Sequence, residues 1–277
     1  MTPGDYAQAW LMHHTARFTV RYGRDLAFAG LDLPAPRSRR VPTRHGAVRV
    51  LEHGTGGPAY VHVHGGAWLM RYPQMDDWWC RYVAATAGVR VVNVDFSAGP
   101  HVTYPVAQEQ CHDVAAAVAA EDGGTPVAIG GFSSGGGTAA AVALMARDTG
   151  SFAPRLQVLG VPVLDVAADP VGSGMISTRL RALVRRVYFP DVARRREPYA
   201  SPLLAEDLSG LPPALVLTAE RDSLRPDGDA YAARLAAAGV RVWHDVTPGA
   251  DHYFLTEDPR RARSTMATIS DEIRRHL

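Results

Sequence analysis

The stretch Ala128-Ile129-Gly130-Gly131-Phe132-Ser133-Ser134-Gly135-Gly136-Gly137 constrains this chain more than any other. An apolar strand pattern runs directly into a helical one, and the junction has the form G-x-S-x-G with Ser133 at its apex. Such a turn lifts the serine hydroxyl clear of the backbone, and small neighbours let strand and helix approach closely enough to form it. Five glycines between positions 130 and 137 are a conformationally costly way merely to start a helix. The junction therefore reads as the presentation of a nucleophile.

Three further features follow in a definite order. Upstream, the strand pattern Ala59-Tyr60-Val61-His62-Val63-His64 ends in Gly65-Gly66-Ala67-Trp68, a form of the H-G-G-G loop whose N–H groups face a developing oxyanion. Downstream, an apolar strand ends in Ala219-Glu220-Arg221-Asp222, and another, over 240–246, leads to Thr247-Pro248-Gly249-Ala250-Asp251-His252. The chain order is thus Ser133, Asp222, His252, that of nucleophile, acid and base in an α/β-hydrolase.

On these residues, together with Leu211-Pro212-Pro213-Ala214, Leu235-Ala236-Ala237-Ala238-Gly239-Val240 and Asp251-His252-Tyr253-Phe254, the chain resembles the hormone-sensitive-lipase-like branch of the α/β-hydrolases over roughly residues 40–277. The resemblance implies an esterase with a helical cap over its site. Three positions depart from the family pattern. Ala67 replaces the third glycine of the loop, which is tolerable if that residue keeps a negative φ. Phe132 precedes the nucleophile, where many members carry Asp or Thr. The usual D-Y-R-L-A-P-E reads Asp95-Phe96-Ser97-Ala98-Gly99-Pro100-His101, which bears on the scaffold behind the oxyanion loop.

Periodicity gives a hairpin over 40–53 turning at His45-Gly46. Strands are predicted near 59–64, 89–95, 126–132, 156–163, 213–219 and 240–246, and helices near 75–87, 105–120, 135–148, 227–238 and 259–276. This alternation predicts a mostly parallel sheet covered by helices on both faces, in one domain over 1–277. Two segments stand outside it: an amphipathic stretch over 5–30 with Trp10, Leu11, His14, Phe18 and Tyr22 at near-helical spacing, and residues 166–200. The resemblance makes cap elements of about 1–35 and 166–200.

Net charge is +1, so neither nucleic acid nor a membrane is an expected partner. All 29 basic residues are arginine, which removes lysine Schiff-base chemistry and the P-loop lysine. No cofactor is expected. The expected partner is a small-molecule ester, with a homodimer left open. Residues Met1 to Tyr6 carry no secretory pattern, and Cys80 and Cys111 lie in helical patterns as reduced packing residues. Both point to a cytoplasmic protein without a membrane span.

His252 would take the proton of Ser133 as it attacks an ester carbonyl and return it to the leaving alcohol. Asp222 would orient the imidazole, and the N–H groups of Gly65, Gly66, Ala67 and Ser134 would meet the oxyanion. The rivals are Glu220 and Asp227 for Asp222, and His244 for His252. His62 and His64 could hold zinc only with a third ligand that the spacing does not supply, so no metal is expected. The arginines over 179–196 read first as a solvated helix face and second as recognition of an anionic group. Trp68, Trp78 and Trp79 either line the site or pack in the core. The expectation is a serine carboxylesterase for short to medium acyl chains. The alternatives are an arylformamidase or other amidase, an acyl-transfer tailoring enzyme, and a non-catalytic binding protein on the same fold.

Overall fold

The structure is a computed structural model that describes residues 1–20, 26–172 and 174–277. Strands β1 (Arg37–Val41) and β2 (Val48–His53) form the predicted hairpin, with Val41 opposite Val48. They join β3 (Ala59–Val63), β4 (Arg90–Asp95), β5 (Val127–Phe132), β6 (Gln157–Gly160), β7 (Ala214–Ala219) and β8 (Val242–Thr247) in one eight-stranded sheet, ordered β1-β2-β4-β3-β5-β6-β7-β8. β2 is antiparallel to both neighbours, and every pairing from β4 to β8 is parallel. Strands covered on both faces must be apolar throughout rather than alternating, and β3 and β7 are buried at every position. β6 stops short of the predicted 163, because Val161 turns into the left-handed region at φ 41° and leads the chain out of the sheet.

Helices α2 (Asp77–Ala87) and α8 (Pro259–His276) cover one face with a core that includes Trp79, Val83, Met266 and Ile269. Helices α3 (Val106–Ala119), α4 (Ser134–Thr149) and α6 (Arg225–Ala237) cover the other, with Cys111, Leu144 and Leu235 in its core. Cys80 and Cys111 are both buried and unpaired. The short α7 (Phe254–Glu257) precedes α8.

Two helices lie outside this layering, α1 (Pro3–Thr19) and α5 (Thr178–Val187), and they pack on one another. Arg186 of α5 bridges to Asp5 of α1 at 2.9 Å. Asp5 is also the N3 member of a capping box with Thr2, so one carboxylate both starts α1 and docks it. The bulky stripe of α1 does not face the core as its amphipathic pattern suggests. Trp10, Leu11 and Phe18 are 44%, 55% and 60% exposed, whereas Asp5, Ala9 and Ala16 are buried. The helix approaches through alanines and is held by Asp5 and His13, so side-chain size did not mark its buried face; Tyr22 lies outside the described residues.

Candidate active site

Ser133 follows β5 directly and caps α4 at φ 57° and ψ −122°. A non-glycine residue there carries about 1–3 kcal/mol of strain, which persists only where the surroundings impose it. Here its N–H donates to the Gly160 carbonyl at 2.8 Å, and its carbonyl accepts from the N–H groups of Gly137 and Val163 at 3.1 and 3.2 Å. Glycine is needed on either side for close approach: a Cβ on Gly131 or Gly135 would stand 2.2 or 2.0 Å from the Val63 carbonyl oxygen.

The carboxyl ends of β7 and β8 lie side by side, with Ala219 opposite Thr247. The loops beyond stay laced together, since Glu220 N–H donates to Thr247 O at 3.0 Å and Arg221 N–H to Ala250 O at 2.9 Å. This lacing brings Asp222 and His252 into contact. His252 Nδ1–H donates to Asp222 Oδ2 at 2.7 Å, and His252 Nε2 stands 3.0 Å from Ser133 Oγ. Asp222 Oδ1 accepts the Leu224 N–H at 3.0 Å, so both oxygens of the carboxylate are engaged, and both His252 and Asp222 are buried. The rivals lie elsewhere. Glu220 accepts the Gly249 N–H, and His244 bonds Asp229 and Thr218 at 3.1 Å. Asp227 sits in the first turn of α6, where burial pushes its carboxyl up to about 6.

The loop expected to face the oxyanion departs from the sequence reading at Ala67, whose φ is 57° and not negative; Trp68 follows at φ 53°. Each left-handed residue costs roughly 1–2 kcal/mol, so the loop must be braced from outside. Trp68 supplies one brace: it is buried, stacks parallel on Tyr188 at 5.9 Å, and donates from Nε1 to Thr138 Oγ1 at 2.9 Å. The divergent segment 95–101 supplies others. Phe96 stacks on His64 at 4.3 Å, and Gly99 N–H donates to Trp68 O at 2.8 Å. From α1, His13 Nδ1 reaches the carbonyls of Leu69 and Gly99 at 3.2 and 3.1 Å. Burial lowers His64 to about 4, leaving a neutral imidazole whose Nδ1 bonds Gly65 O at 2.7 Å.

His62 bonds Asp76 at 2.9 Å, and the same carboxylate oxygen lies 3.4 Å from the Gly65 N–H. Asp76 and His13 thus shape the loop although no sequence motif marked them. Asp251 is a third such residue: it accepts the N–H groups of His252 at 2.7 Å and Met175 at 3.1 Å, tying the segment before α5 to the histidine loop. Its position beside His252 was the one signal available.

Ser133 opens on two cavities. A cleft of about 730 Å³, counted to its open mouth, is lined by Met70, Met75, Trp78, Phe132, Tyr253 and Leu255. A second chamber of about 470 Å³, counted in the same way, is lined by Trp68, Val163, Asp165, Val184, Arg181 and Arg185. Ile176 and Leu180 border both. Trp68 and Trp78 therefore line cavities, whereas Trp79 packs in the core beneath Phe132.

A family model for the alpha/beta hydrolase fold matches residues 60–256. The chain belongs to this family. It is similar to an arylesterase of Saccharolobus solfataricus, 32% identical over 238 residues that cover 78% of this chain and 74% of the relative. It is also similar to an ethyl acetate hydrolase of Pseudomonas putida, 32% identical over 235 residues covering 80% and 74%. Among solved structures, a thermostable esterase from Pseudomonas putida ECU1011 superposes with a TM-score of 0.84 at 30% identity, covering 100% of this chain and 91% of that one. These likenesses agree with the hormone-sensitive-lipase-like resemblance of the motifs.

Proposed function

We propose that this α/β-hydrolase is a serine carboxylesterase with Ser133 as nucleophile, His252 as general base and acid, and Asp222 as the orienting carboxylate. The observation that carries this reading is the unbroken relay of 3.0 Å from Ser133 to His252 and 2.7 Å from His252 to Asp222. A serine hydroxyl attacks an ester only if its proton leaves as the bond forms, and Nε2 stands where it can accept that proton. With Nδ1–H on Asp222, the neutral tautomer keeps its lone pair on Nε2, and the carboxylate stabilises the imidazolium that forms. The tetrahedral intermediate collapses, His252 protonates the departing alcohol, and water repeats the sequence on the acyl-enzyme.

For the oxyanion, Ser134 offers the first N–H of α4, which has no intrahelical acceptor. Gly66 and Ala67 offer theirs from the opposite loop. The Gly65 N–H faces Asp76 at 3.4 Å and contributes chiefly by fixing the loop. The strain at Ala67 and Trp68 supports this reading, because strained backbone persists only where the surroundings impose it and clusters at active sites.

The region about α1 and residues 166–200 acts as a cap in this proposal, since Val20, Ile176 and Leu180 all border the cleft. Cavities bounded by Trp68 and Trp78 support esters of short to medium chains. Buried, unpaired Cys80 and Cys111 support a reducing, cytoplasmic setting. Among the described residues no helix is long and apolar enough to cross a membrane. Sedimentation of the full chain decides whether it forms a homodimer.

Labelling with a fluorophosphonate probe, alongside a p-nitrophenyl ester panel, tests the assignment. The expected result is stoichiometric labelling that disappears in Ser133→Ala together with hydrolysis. A folded protein that hydrolyses esters equally well as Ser133→Ala would refute it. An assay on N-formylkynurenine separates an arylformamidase from an esterase.

A further inference from the structure

The arginines over 179–196 form the solvated face their density suggests only in part. Arg186 pairs with Asp5 and Arg194 with Glu197, while buried Arg195 donates to the carbonyls of Phe189 and Arg185. Arg179 and Arg196 are exposed. The remaining two, Arg181 and Arg185, stand one helical turn apart on α5 and line the second chamber.

Both have donors to spare. Arg181 has five N–H groups, and its one hydrogen bond among the described residues is to Val171 O at 3.4 Å; no carboxylate pairs with it. Arg185 gives one nitrogen to Asp169 and another to Ala167 O, but its Nε–H is buried without an acceptor. A buried donor left unmade costs free energy that an acceptor entering the chamber beside it would recover. Apart from Ser133 and Asp165, the rest of the chamber wall is apolar, with Trp68, Val163, Val166, Ile176, Leu180 and Val184 among its residues.

The charge around these donors argues against an anion. Asp165 lines the same chamber, with Oδ1 accepting the N–H groups of Ala167 and Ala168. Asp227 lies within electrostatic reach of both Arg181 and Asp165, and Asp169 pairs with Arg185 from a side chain 92% exposed. One carboxylate in the wall and two more within reach of the pair offset the two guanidinium charges, which leaves no positive excess to hold a charged group.

Resting on the serine carboxylesterase reading above, we infer that this chamber binds an uncharged oxygen acceptor, a keto, ether or hydroxyl oxygen carried on one arm of the ester, through Arg181 and the Arg185 Nε–H. The physiological substrate is then an oxygen-functionalised ester and not a plain alkanoate.

The test compares kcat/KM of the full chain for methyl pentanoate, methyl 4-oxopentanoate and monomethyl succinate, and for pentyl and 4-oxopentyl acetate, by pH-stat. In one of the two arms the oxo ester is expected to exceed its plain counterpart about tenfold, mainly through KM, as befits a hydrogen bond to a charged group. The ratio of oxo to plain ester should fall to about one in Arg181→Met and recover in part in Arg181→Lys, whereas loss of a merely structural arginine would lower both esters alike and leave the ratio in place. Absence of an oxo preference in both arms, its full survival in Arg181→Met, or a preference for the succinate carboxylate over the ketone would each overturn the inference. Failure of the underlying reading looks different: undiminished turnover of methyl pentanoate by Ser133→Ala.

Discussion

Replacing Gly135 by alanine should damage catalysis far more than its single methyl suggests. The new Cβ would lie 2.0 Å from Val63 O and 2.7 Å from His64 O, both backbone atoms. A comfortable carbon–oxygen contact is about 3.3 Å, so a gap of roughly 1.3 Å must open. The Val63 carbonyl cannot retreat, because β3 is paired on both sides, with Val63 opposite Val94 and Gly131. The start of α4 must move instead, carrying with it Ser133 and the Ser134 N–H. Overpacking of this kind costs roughly 1–3 kcal/mol or more, and a displacement of about 1 Å between reacting groups costs about 100-fold in rate. Gly150→Ala is the control: that residue ends the same helix at φ 63° with nothing within 4 Å of its would-be Cβ. It should lose about 1–2 kcal/mol of stability to backbone strain with kcat/KM within twofold. Thermal melts and p-nitrophenyl acetate kinetics on both variants, normalised to fluorophosphonate-titrated sites, measure the contrast. Wild-type kcat/KM and Tm in Gly135→Ala would refute the close-approach argument.

Four other outcomes follow from the site. Asp222→Asn should lower kcat about 10⁴-fold with little change in melting temperature, because the amide can donate to Nδ1 and so favour the wrong tautomer; a loss under tenfold would remove Asp222 from its role. Asp227 has a carboxyl raised by burial to about 6, so the folded state binds its proton more tightly than the unfolded state does, and stability falls as pH rises from about 4 to 6. Asp227→Asn should accordingly be more stable than wild type at pH 8, by about 1–3 kcal/mol in denaturant titrations, and indistinguishable near pH 3.5. Asp251→Ala removes the acceptor shared by His252 and Met175, and should raise KM while lowering kcat; an effect on melting temperature alone would mean the tie is only structural. Ala67→Gly relieves about 1–2 kcal/mol of strain against about 0.5–1 kcal/mol of added chain entropy and keeps the N–H, so kcat/KM should stay within about threefold.

What could be read from the sequence is what is local. Each member of the proposed triad stands at or just beyond a strand end within a short motif, and parallel strands bring such ends together whatever the rest of the chain does. The braces of the oxyanion loop were not legible for the converse reason. Asp76 reaches His62 and the Gly65 N–H across 14 and 11 residues, and His13 reaches Gly99 across 86. Nothing in either local pattern distinguishes those side chains from ordinary helix-entry or helix-surface residues. α1 misleads in the same way: periodicity marks a stripe of large apolar residues, but the helix docks through Ala9, Ala16 and a carboxylate. Periodicity reports where bulk recurs, whereas close packing against another helix is governed by where bulk is missing.

In the proposed mechanism, catalysis and selectivity consequently draw on largely different parts of this chain. The relay is anchored in the sheet, where Ser133, Asp222 and His252 are fixed by strand register and tight loops. Part of the walls that an ester arm would touch in this proposal comes from the segment about α5, whose bonds to that frame include Met175 N–H to Asp251, Ser223 Oγ–H to Ile176 O and Tyr104 N–H to Tyr188 O. Two of those bonds end on residues adjacent to Asp222 and His252. Substitutions at Ile176, Leu180 or Arg181 can therefore reshape the cavities without disturbing the elbow, provided the backbone of 175–176 keeps its hold on the two loops. A change that breaks that hold would alter selectivity and turnover together, because the same segment walls the substrate and steadies the base.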